Sequence, residues 1–272
     1  MEANKPNNPQ KVNKAVKSNV RGIKNAFLVI LVCFVVAECI YYFVYGADVN
    51  FKDGRPVNLL GTVFEGGFVV PIIQTLFLTV IVLSVERWIA LASAKGSGNI
   101  TKFVENVKAA LSANDIAKAQ DLCRKQKGSV AAIVYSVLVK YKEMEENSIL
   151  SKEQKILAIQ KEIEEATAVE MPSLQQNLPI VATMTTLGTL LGLLGTVLGM
   201  IRSFQAMGQS GAPDSTALSV GISEALVNTA SGIATGACAV ISYNYFTNKI
   251  DNMTYAIDEV GFTIVQTFAA TH

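Results

Sequence analysis

The stretch from Leu178 to Thr247 constrains the fold more than any other part of the chain. It consists of two apolar runs, LPIVATMTTLGTLLGLLGTVLGMIRSF and ALSVGISEALVNTASGIATGACAVISYNYF, separated by the polar break QAMGQSGAPDST. A helix needs about 20 apolar residues to cross a bilayer. Both runs exceed that length, so the stretch predicts two membrane-spanning helices joined by a short loop.

Small residues are aligned along both predicted helices. At 100° per residue, the glycines of the first helix fall on one narrow stripe, and those of the second lie beside its polar face. Glycine inside a helix costs about 1 kcal/mol relative to alanine, and aligned glycines are typical of close helix packing in lipid. We therefore assign a packing role to Gly188, Gly192, Gly195, Gly199, Gly232 and Gly236.

Polar side chains follow the same two helices. Glu224, Asn228 and Ser231 share one face of the second helix, and Thr229 lies at the edge of its small-residue stripe. In the first helix, Thr189 and Thr196 lie beside the glycines. A carboxylate inside a membrane is expensive and indicates function, whereas a hydroxyl in such a helix often bonds to the carbonyl of the preceding turn. A structural role for Glu224, capped by a neighbouring donor, is the alternative.

Arg202 lies near the outer end of the first of these helices. We expect it to neutralise Glu224 across the hairpin, because a buried charge needs an opposite charge nearby.

Composition supports a membrane protein with one water-exposed region. Of the 272 residues, 50% are hydrophobic and 17% charged, and the mean hydropathy is +0.35. The net charge of +1 gives no reason to expect a nucleic-acid partner. The single histidine is His272, and the four cysteines lack metal-ligand spacing, so we predict neither an enzyme nor a metal or organic cofactor.

The order of apolar and charged segments predicts an all-α integral membrane protein with four transmembrane helices, a helical cytoplasmic domain and long helices continuous between them. Basic residues in the N-terminal arm place that arm in the cytoplasm, and four crossings return the C-terminus to the same side. The predicted segments are a basic arm (1–25), a first span (26–45), a periplasmic loop with a short helix (46–67), a second span (68–92), the cytoplasmic domain (93–178), a third span (179–206), a periplasmic loop (207–216), a fourth span (217–247) and a C-terminal helix (248–272).

Local signals refine this organisation. The second span ends at Glu86 and Arg87, which we interpret as an interfacial anchor. In the cytoplasmic domain a helix from Ile100 to Ser112 carries an apolar side formed by Phe103, Val107, Ala110 and Leu111. Asn114 or Asp115 is expected to cap the next helix. Ser151 and Gln154 have capping-box spacing, and the helix they begin is expected to continue towards the third span.

Two motifs carry a family resemblance. The sequences LGLLGTVLGM at 191–200 and GISEALVNTASG at 221–232 closely resemble the ExbB/TolQ/MotA proton-channel family, and the ExbB branch in particular. The chain departs from the family pattern at Asn228, where a small apolar residue is usual, and at Arg202, where a neutral residue is more common.

The resemblance implies a homopentamer in the bacterial inner membrane, enclosing the helices of a small ExbD-like single-span partner. The partner's aspartate would carry protons, the transported ion, and a TonB-like protein would connect the motor to outer-membrane transport. By position, Thr196 and Thr229 would line the ion path and Glu224 would be the essential carboxylate. Bound membrane lipid is the other expected ligand. The alternatives are a TolQ-like or stator-type motor subunit and a scaffold that conducts nothing.

Overall fold

A computed structural model of the chain describes residues 22–271, apart from Lys24, Asp53, Gly54 and 210–214. Most of the predicted basic arm, the centre of the predicted loop 207–216 and His272 therefore lie outside the described residues. The rest is almost entirely helical, which confirms the all-α fold class. The helices are α1 (Ala26–Ile40), α2 (Leu59–Phe64), α3 (Val69–Lys95), α4 (Ile100–Ser112), α5 (Ile116–Gln126), α6 (Gly128–Glu146), α7 (Lys152–Gln175), α8 (Leu178–Gln209) and α9 (Ser215–Thr271).

Four helical segments in the described part of the chain are long and apolar enough to cross a membrane, by length and composition. They begin at Ala26, Val69, Leu178 and Leu218. Two of the helices that hold them, α3 and α9, run without interruption into segments with many charged residues. This continuity agrees with the predicted architecture. The limits of the membrane itself stay a prediction.

The connection between α1 and α3 is more ordered than a plain loop. A π-helical turn (Tyr41–Tyr45) and a 3-10 turn (Asp48–Asn50) follow α1, and β1 (Phe51–Lys52) pairs antiparallel with β2 (Arg55–Pro56). The predicted short helix is α2, whose first turn is capped by the Asn58 side chain accepting from Gly61 N at 3.0 Å. The pairing of β1 and β2 was not expected, because strands of two residues are too short to show the alternation of apolar and polar residues by which strands are recognised.

One compact unit consists, in its described part, of residues 91–174 and 251–271. The apolar side of α4 is buried as predicted, and Tyr141 of α6 meets Phe268 of α9 edge to face, with ring centroids 5.0 Å apart. Asp115 caps α5 by accepting from Lys118 N at 2.9 Å. The capping box at α7 is also confirmed by two reciprocal bonds: Ser151 N donates to Gln154 Oε1 (3.0 Å), and Gln154 N donates to Ser151 Oγ (3.3 Å).

The other unit consists of residues 22–90 and 175–250. Its four long helices meet in a cluster formed by Leu76 and Val80 of α3, Met184 of α8 and Ala239 of α9, with Ile30 of α1 packed against it. Many outward side chains of α8 and α9 are apolar and exposed, as expected for helices that face lipid or further copies of the chain.

Two details differ from the sequence-based expectations. The helix that begins after Ser151 does not continue into the third span, because α7 ends at Gln175 and Asn177 adopts a left-handed conformation with φ 65°. The burial of Arg87 was also not expected: its side chain is fully buried within the protein, while its role as an interfacial anchor stays a prediction. Its Nε donates to Glu86 Oε2 at 2.6 Å, and Glu86 also accepts from Ile23 N at 2.9 Å, so the pair joins α3 to the chain segment before α1.

Candidate functional site

The interface between α8 and α9 is built by glycines that bring the two backbones into contact. A Cβ atom added to Gly188 would lie 3.1 Å from Gly232 O, and one added to Gly199 would lie 2.9 Å from Gly221 O. At Gly192 the nearest atoms are likewise backbone atoms of α9. Any larger side chain on this line would force the helices apart, and this closeness defines the site's geometry.

The other two predicted packing glycines also face a neighbouring helix. Gly195 leaves room for the side chain of Asn228, and a Cβ added to Gly236 would lie 2.9 Å from Thr185 O. All six therefore line the contact between α8 and α9.

Glu224 lies in the third turn of α9 and is only 6% exposed. Arg202 of α8 donates from Nη1 to Glu224 Oε1 at 2.6 Å, which is the ion pair predicted across the hairpin. The Arg202 side chain remains 49% exposed, and its guanidinium lies 5.3 Å from the centroid of the Phe68 ring. Removing a carboxylate from water costs several kcal/mol unless a counter-charge is present, so Arg202 is what makes this burial tolerable.

Asn228 follows Glu224 by one helical turn and is fully buried. Its Nδ2 donates to the carbonyl oxygen of Gly66 at 2.8 Å, whereas its Oδ1 is without a hydrogen-bond partner in the described part of the chain. The amide thus ties α9 to the turn that precedes α3. A buried acceptor without a donor is uncommon.

Thr196 and Thr229 meet across the interface, with their hydroxyl oxygens in direct contact. Each oxygen is also 3.2 Å from a backbone carbonyl of its own helix, Gly192 O for Thr196 and Ala225 O for Thr229. A hydroxyl has one proton to donate and rotates freely. When one threonine donates to its carbonyl, the other can donate to it, so the pair can exchange donor and acceptor roles without moving either helix.

The remaining predicted polar positions lie apart from this group. Thr189 donates to Thr185 O at 3.2 Å within α8. This is the bond to the carbonyl of the preceding turn that was the alternative to a role in an ion path. Ser231 is half-buried and lines a cavity of about 200 Å³ together with Gln74 and Thr235. Neither contacts Glu224, and their role in an ion path stays a prediction.

Sequence reasoning missed the residues on the α3 side of the carboxylate. Gly67 adopts φ 72°, and a Cβ there would lie 2.7 Å from Glu224 Oε1. Gly66 and Phe68 contact Asn228 and Arg202, as described above. The available signal was the adjacent pair Gly66-Gly67 directly before an apolar run, since paired glycines often mark a close backbone approach.

Cys123 is not a candidate nucleophile. Burial raises the pKa of the Cys123 thiol to about 12, so the thiol stays protonated and unreactive at neutral pH. None of the four cysteines is in a disulfide. Within the described residues, no group of three or more His, Cys, Asp or Glu side chains could hold a metal ion.

Comparison with known proteins gives these contacts a context. Residues 128–259 match the sequence model of the MotA/TolQ/ExbB proton channel family. The chain is 41% identical to the biopolymer transport protein ExbB of Helicobacter pylori over 78 residues, which is 29% of this chain and 54% of that protein. It is 37% identical to the Tol-Pal system protein TolQ of Haemophilus influenzae over 84 residues, covering 30% of this chain and 36% of the relative.

A longer and more distant match extends over most of the chain. The biopolymer transport protein ExbB of Neisseria meningitidis serogroup A is 25% identical over 212 residues, which is 73% of this chain and 92% of that protein. The matches of higher identity span about a third to a half of the relatives' own lengths. The range matched by the family model, 128–259, contains Thr196, Arg202, Glu224 and Thr229.

Proposed function

We propose that the chain, whose residues 128–259 match the MotA/TolQ/ExbB proton channel family, is an ExbB-like subunit of a motor driven by the proton-motive force. In this proposal the protein lies in the bacterial inner membrane with both termini in the cytoplasm. It works with an ExbD-like single-span partner and a TonB-like protein to energise transport across the outer membrane. Protons are the transported ion, and no catalytic chemistry is involved.

The observation that carries the proposal is the buried carboxylate of Glu224, paired with the half-exposed Arg202, on the same helix interface as the contact between Thr196 and Thr229. A scaffold held together by glycines needs neither a carboxylate nor a counter-charge at an apolar interface. Because about half of the Arg202 side chain is exposed, its guanidinium can also reach a group outside the subunit. An aspartate on a partner helix is such a group, and its protonation would change the charge balance around Glu224.

The exposed faces of α8 and α9 support assembly into an oligomer. In the most apolar 18-residue stretch of α8, only 28% is buried within one chain, and in the corresponding stretch of α9 only 33% is buried. In a pentamer the remaining surface would be shared between lipid, neighbouring subunits and the enclosed partner. The two hydroxyls of Thr196 and Thr229 would then offer water molecules a polar passage along an otherwise apolar wall.

The test is to purify the tagged protein with whatever binds it and to measure proton flux after reconstitution into liposomes. We expect a small single-span protein with an intramembrane aspartate to co-purify. Glu224→Ala is expected to lower the flux by roughly tenfold or more, as the loss of a proton-transfer group typically does, while the oligomer keeps its mass. Glu165→Ala is the control, since Glu165 is a surface carboxylate paired with Lys161 at 3.4 Å.

Two results would overturn this function. A Glu224→Ala protein with wild-type flux would leave the carboxylate without a role in conduction. A wild-type complex that assembles but conducts nothing would favour the scaffold.

A TolQ-like role in the cell envelope is the second candidate, favoured by the 37% identity to the Haemophilus influenzae protein. The two roles differ in what a gene deletion impairs. If the chain is ExbB-like, we expect its deletion to impair energised uptake through the outer membrane; if it is TolQ-like, we expect the deletion to impair maintenance of the envelope instead. A stator-type subunit would instead be required for motility, with uptake and envelope both intact.

A further inference from the structure

The turn that leads into α3 lies directly against the candidate site. Gly66 O accepts the hydrogen bond from Asn228, and Phe68 lies beneath the guanidinium of Arg202. Gly67, between these two residues, lies so close to the ion pair that a side chain would collide with both of its members. An added Cβ would be 2.7 Å from Glu224 Oε1 and 3.3 Å from Arg202 Nη1. Three consecutive residues thus contact three residues of the site.

The same turn is held on its other side by the segment that follows α1. Tyr41 donates its hydroxyl to Phe64 O at 2.9 Å, and the two rings are stacked with centroids 4.7 Å apart. Gly46 allows the close approach, since an added Cβ would lie 2.8 Å from the Phe64 ring. The end of the first span therefore fixes the position of α2, which leads directly into Gly66 and Gly67.

A second set of bonds stiffens this segment from within. Asn50 is almost fully buried and donates from Nδ2 to Val44 O at 2.6 Å and to Tyr45 O at 3.0 Å. Its Oδ1 accepts from Asn58 Nδ2 at 2.9 Å, and Asn58 caps α2. Asn50 thus connects the backbone of Val44 and Tyr45 to Asn58 at the start of α2, the helix that leads to the turn.

From these contacts we propose that residues 41–52 and 55–68 form a positioning element that holds the Arg202–Glu224 pair in place and shields it on one side. The element lies outside residues 128–259, the part that matches the family. The consequence for proton flow rests on the proposed function, whereas the consequence for the ion pair does not. Gly67 is the central positioning residue, because its left-handed backbone brings the turn to the carboxylate and its missing side chain leaves the space that the pair occupies.

The first experiment compares Gly67→Ala with Gly98→Ala. Gly98 also has a positive φ, 133°, but an added Cβ would meet only Gln126 Oε1 at 3.3 Å, so the control carries backbone strain without touching the site. Each substitution is made in the wild-type background and with Arg202→Gln. Proton flux of the reconstituted complex and the midpoint of thermal unfolding are both measured.

Residues in contact are energetically coupled. If the turn acts through the ion pair, Gly67→Ala therefore lowers the flux about fivefold or more in the wild-type background. In the Arg202→Gln background the same substitution lowers the flux less than about twofold. The unfolding midpoint is likewise lowered more by Gly67→Ala in the wild-type background than in the Arg202→Gln background. Gly98→Ala has the same effect in both backgrounds. Equal effects of Gly67→Ala in the two backgrounds, in flux and in midpoint, would overturn the proposal.

The two readouts separate this inference from the proposed function. If the wild-type complex shows no flux, the motor function fails while the unfolding midpoints still test the coupling. A further pair of variants tests the far end of the element: Tyr41→Phe removes the bond to Phe64 O but keeps the stacked ring, and Tyr42→Phe, at a 62% exposed side chain, is its control. We expect Tyr41→Phe, but not Tyr42→Phe, to have an effect that depends on whether Arg202 is present. If Tyr41→Phe has the same effect with and without Arg202, the positioning role is confined to the turn and the proposal is wrong for the segment after α1.

Discussion

Replacing Gly232 by alanine tests whether the α8–α9 interface is packed as closely as its glycines indicate. A Cβ at this position would lie 2.5 Å from Gly188 O and 2.7 Å from Gly192 Cα. Non-bonded carbon atoms rest at about 3.5–4.0 Å, so the helices would have to separate by about 1 Å. The atoms in the way belong to the backbone, which cannot rotate aside as a side chain can.

The expected loss of stability follows from two opposing effects. Overpacking of this kind costs about 1–3 kcal/mol, and the better helix propensity of alanine offsets up to about 1 kcal/mol of that. A net loss of about 1–2 kcal/mol corresponds to a fall of roughly 2–8 °C in the unfolding midpoint for a protein of this size. The separation also pulls apart Thr196 and Thr229, so we expect proton flux to fall as well.

The assay is thermal unfolding of the purified protein in detergent, followed by circular dichroism, with Gly208→Ala as control. Gly208 lies in the partner helix α8, near its end, and an added Cβ there would have no atom of the described residues within 4 Å, so alanine should be neutral or slightly stabilising. A Gly232→Ala midpoint equal to or above that of Gly208→Ala would refute the close packing of the interface.

Three further predictions concern single contacts. Asp115→Ala removes the cap of α5 and should cost about 1 kcal/mol, measured as a lower unfolding midpoint. Arg202→Gln leaves Glu224 without its counter-charge and, allowing for the solvent around Arg202, should cost about 1–2 kcal/mol; adding Glu224→Gln should restore most of that loss, and no recovery would contradict the pairing. The Cys123 thiol has its pKa raised from 9.0 to about 12 by burial, so above about pH 9 the unfolded chain loses a proton that the folded chain keeps. Stability should therefore fall by up to about 1.4 kcal/mol per pH unit between pH 9 and 12, and Cys123→Ala should abolish this part of the pH dependence.

Helical periodicity accounts for what the sequence could predict about the fold. Because the angle per residue is fixed, the spacing of Phe103, Val107 and Leu111 is enough to identify the buried side of α4. The same geometry aligns the glycines of α8 before any partner helix is known. Caps depend on only three or four neighbouring residues, which is why Asp115 and the pair Ser151–Gln154 were also found.

Contacts between distant segments could not be predicted in this way. Asn228 and Gly66 are 162 positions apart, and no repeat in either segment indicates that they meet. Arg87 shows the same limit: a charged pair at the end of an apolar run predicts an interface with water, and only the fold reveals that Arg87 is buried and that its partner Glu86 also binds Ile23 N. The Arg202–Glu224 pair was within reach because a short hairpin brings its two helix ends together whatever else surrounds them.

The same long-range contacts give a structural reason for two polar side chains at the candidate site. The amide of Asn228 bonds to Gly66 O. Arg202 lies against Phe68 while pairing with Glu224. A small apolar residue at 228 would leave the carbonyl of the buried Gly66 without this donor, which costs about 1–3 kcal/mol. Both side chains therefore contact the turn before α3, as the proposed positioning element requires.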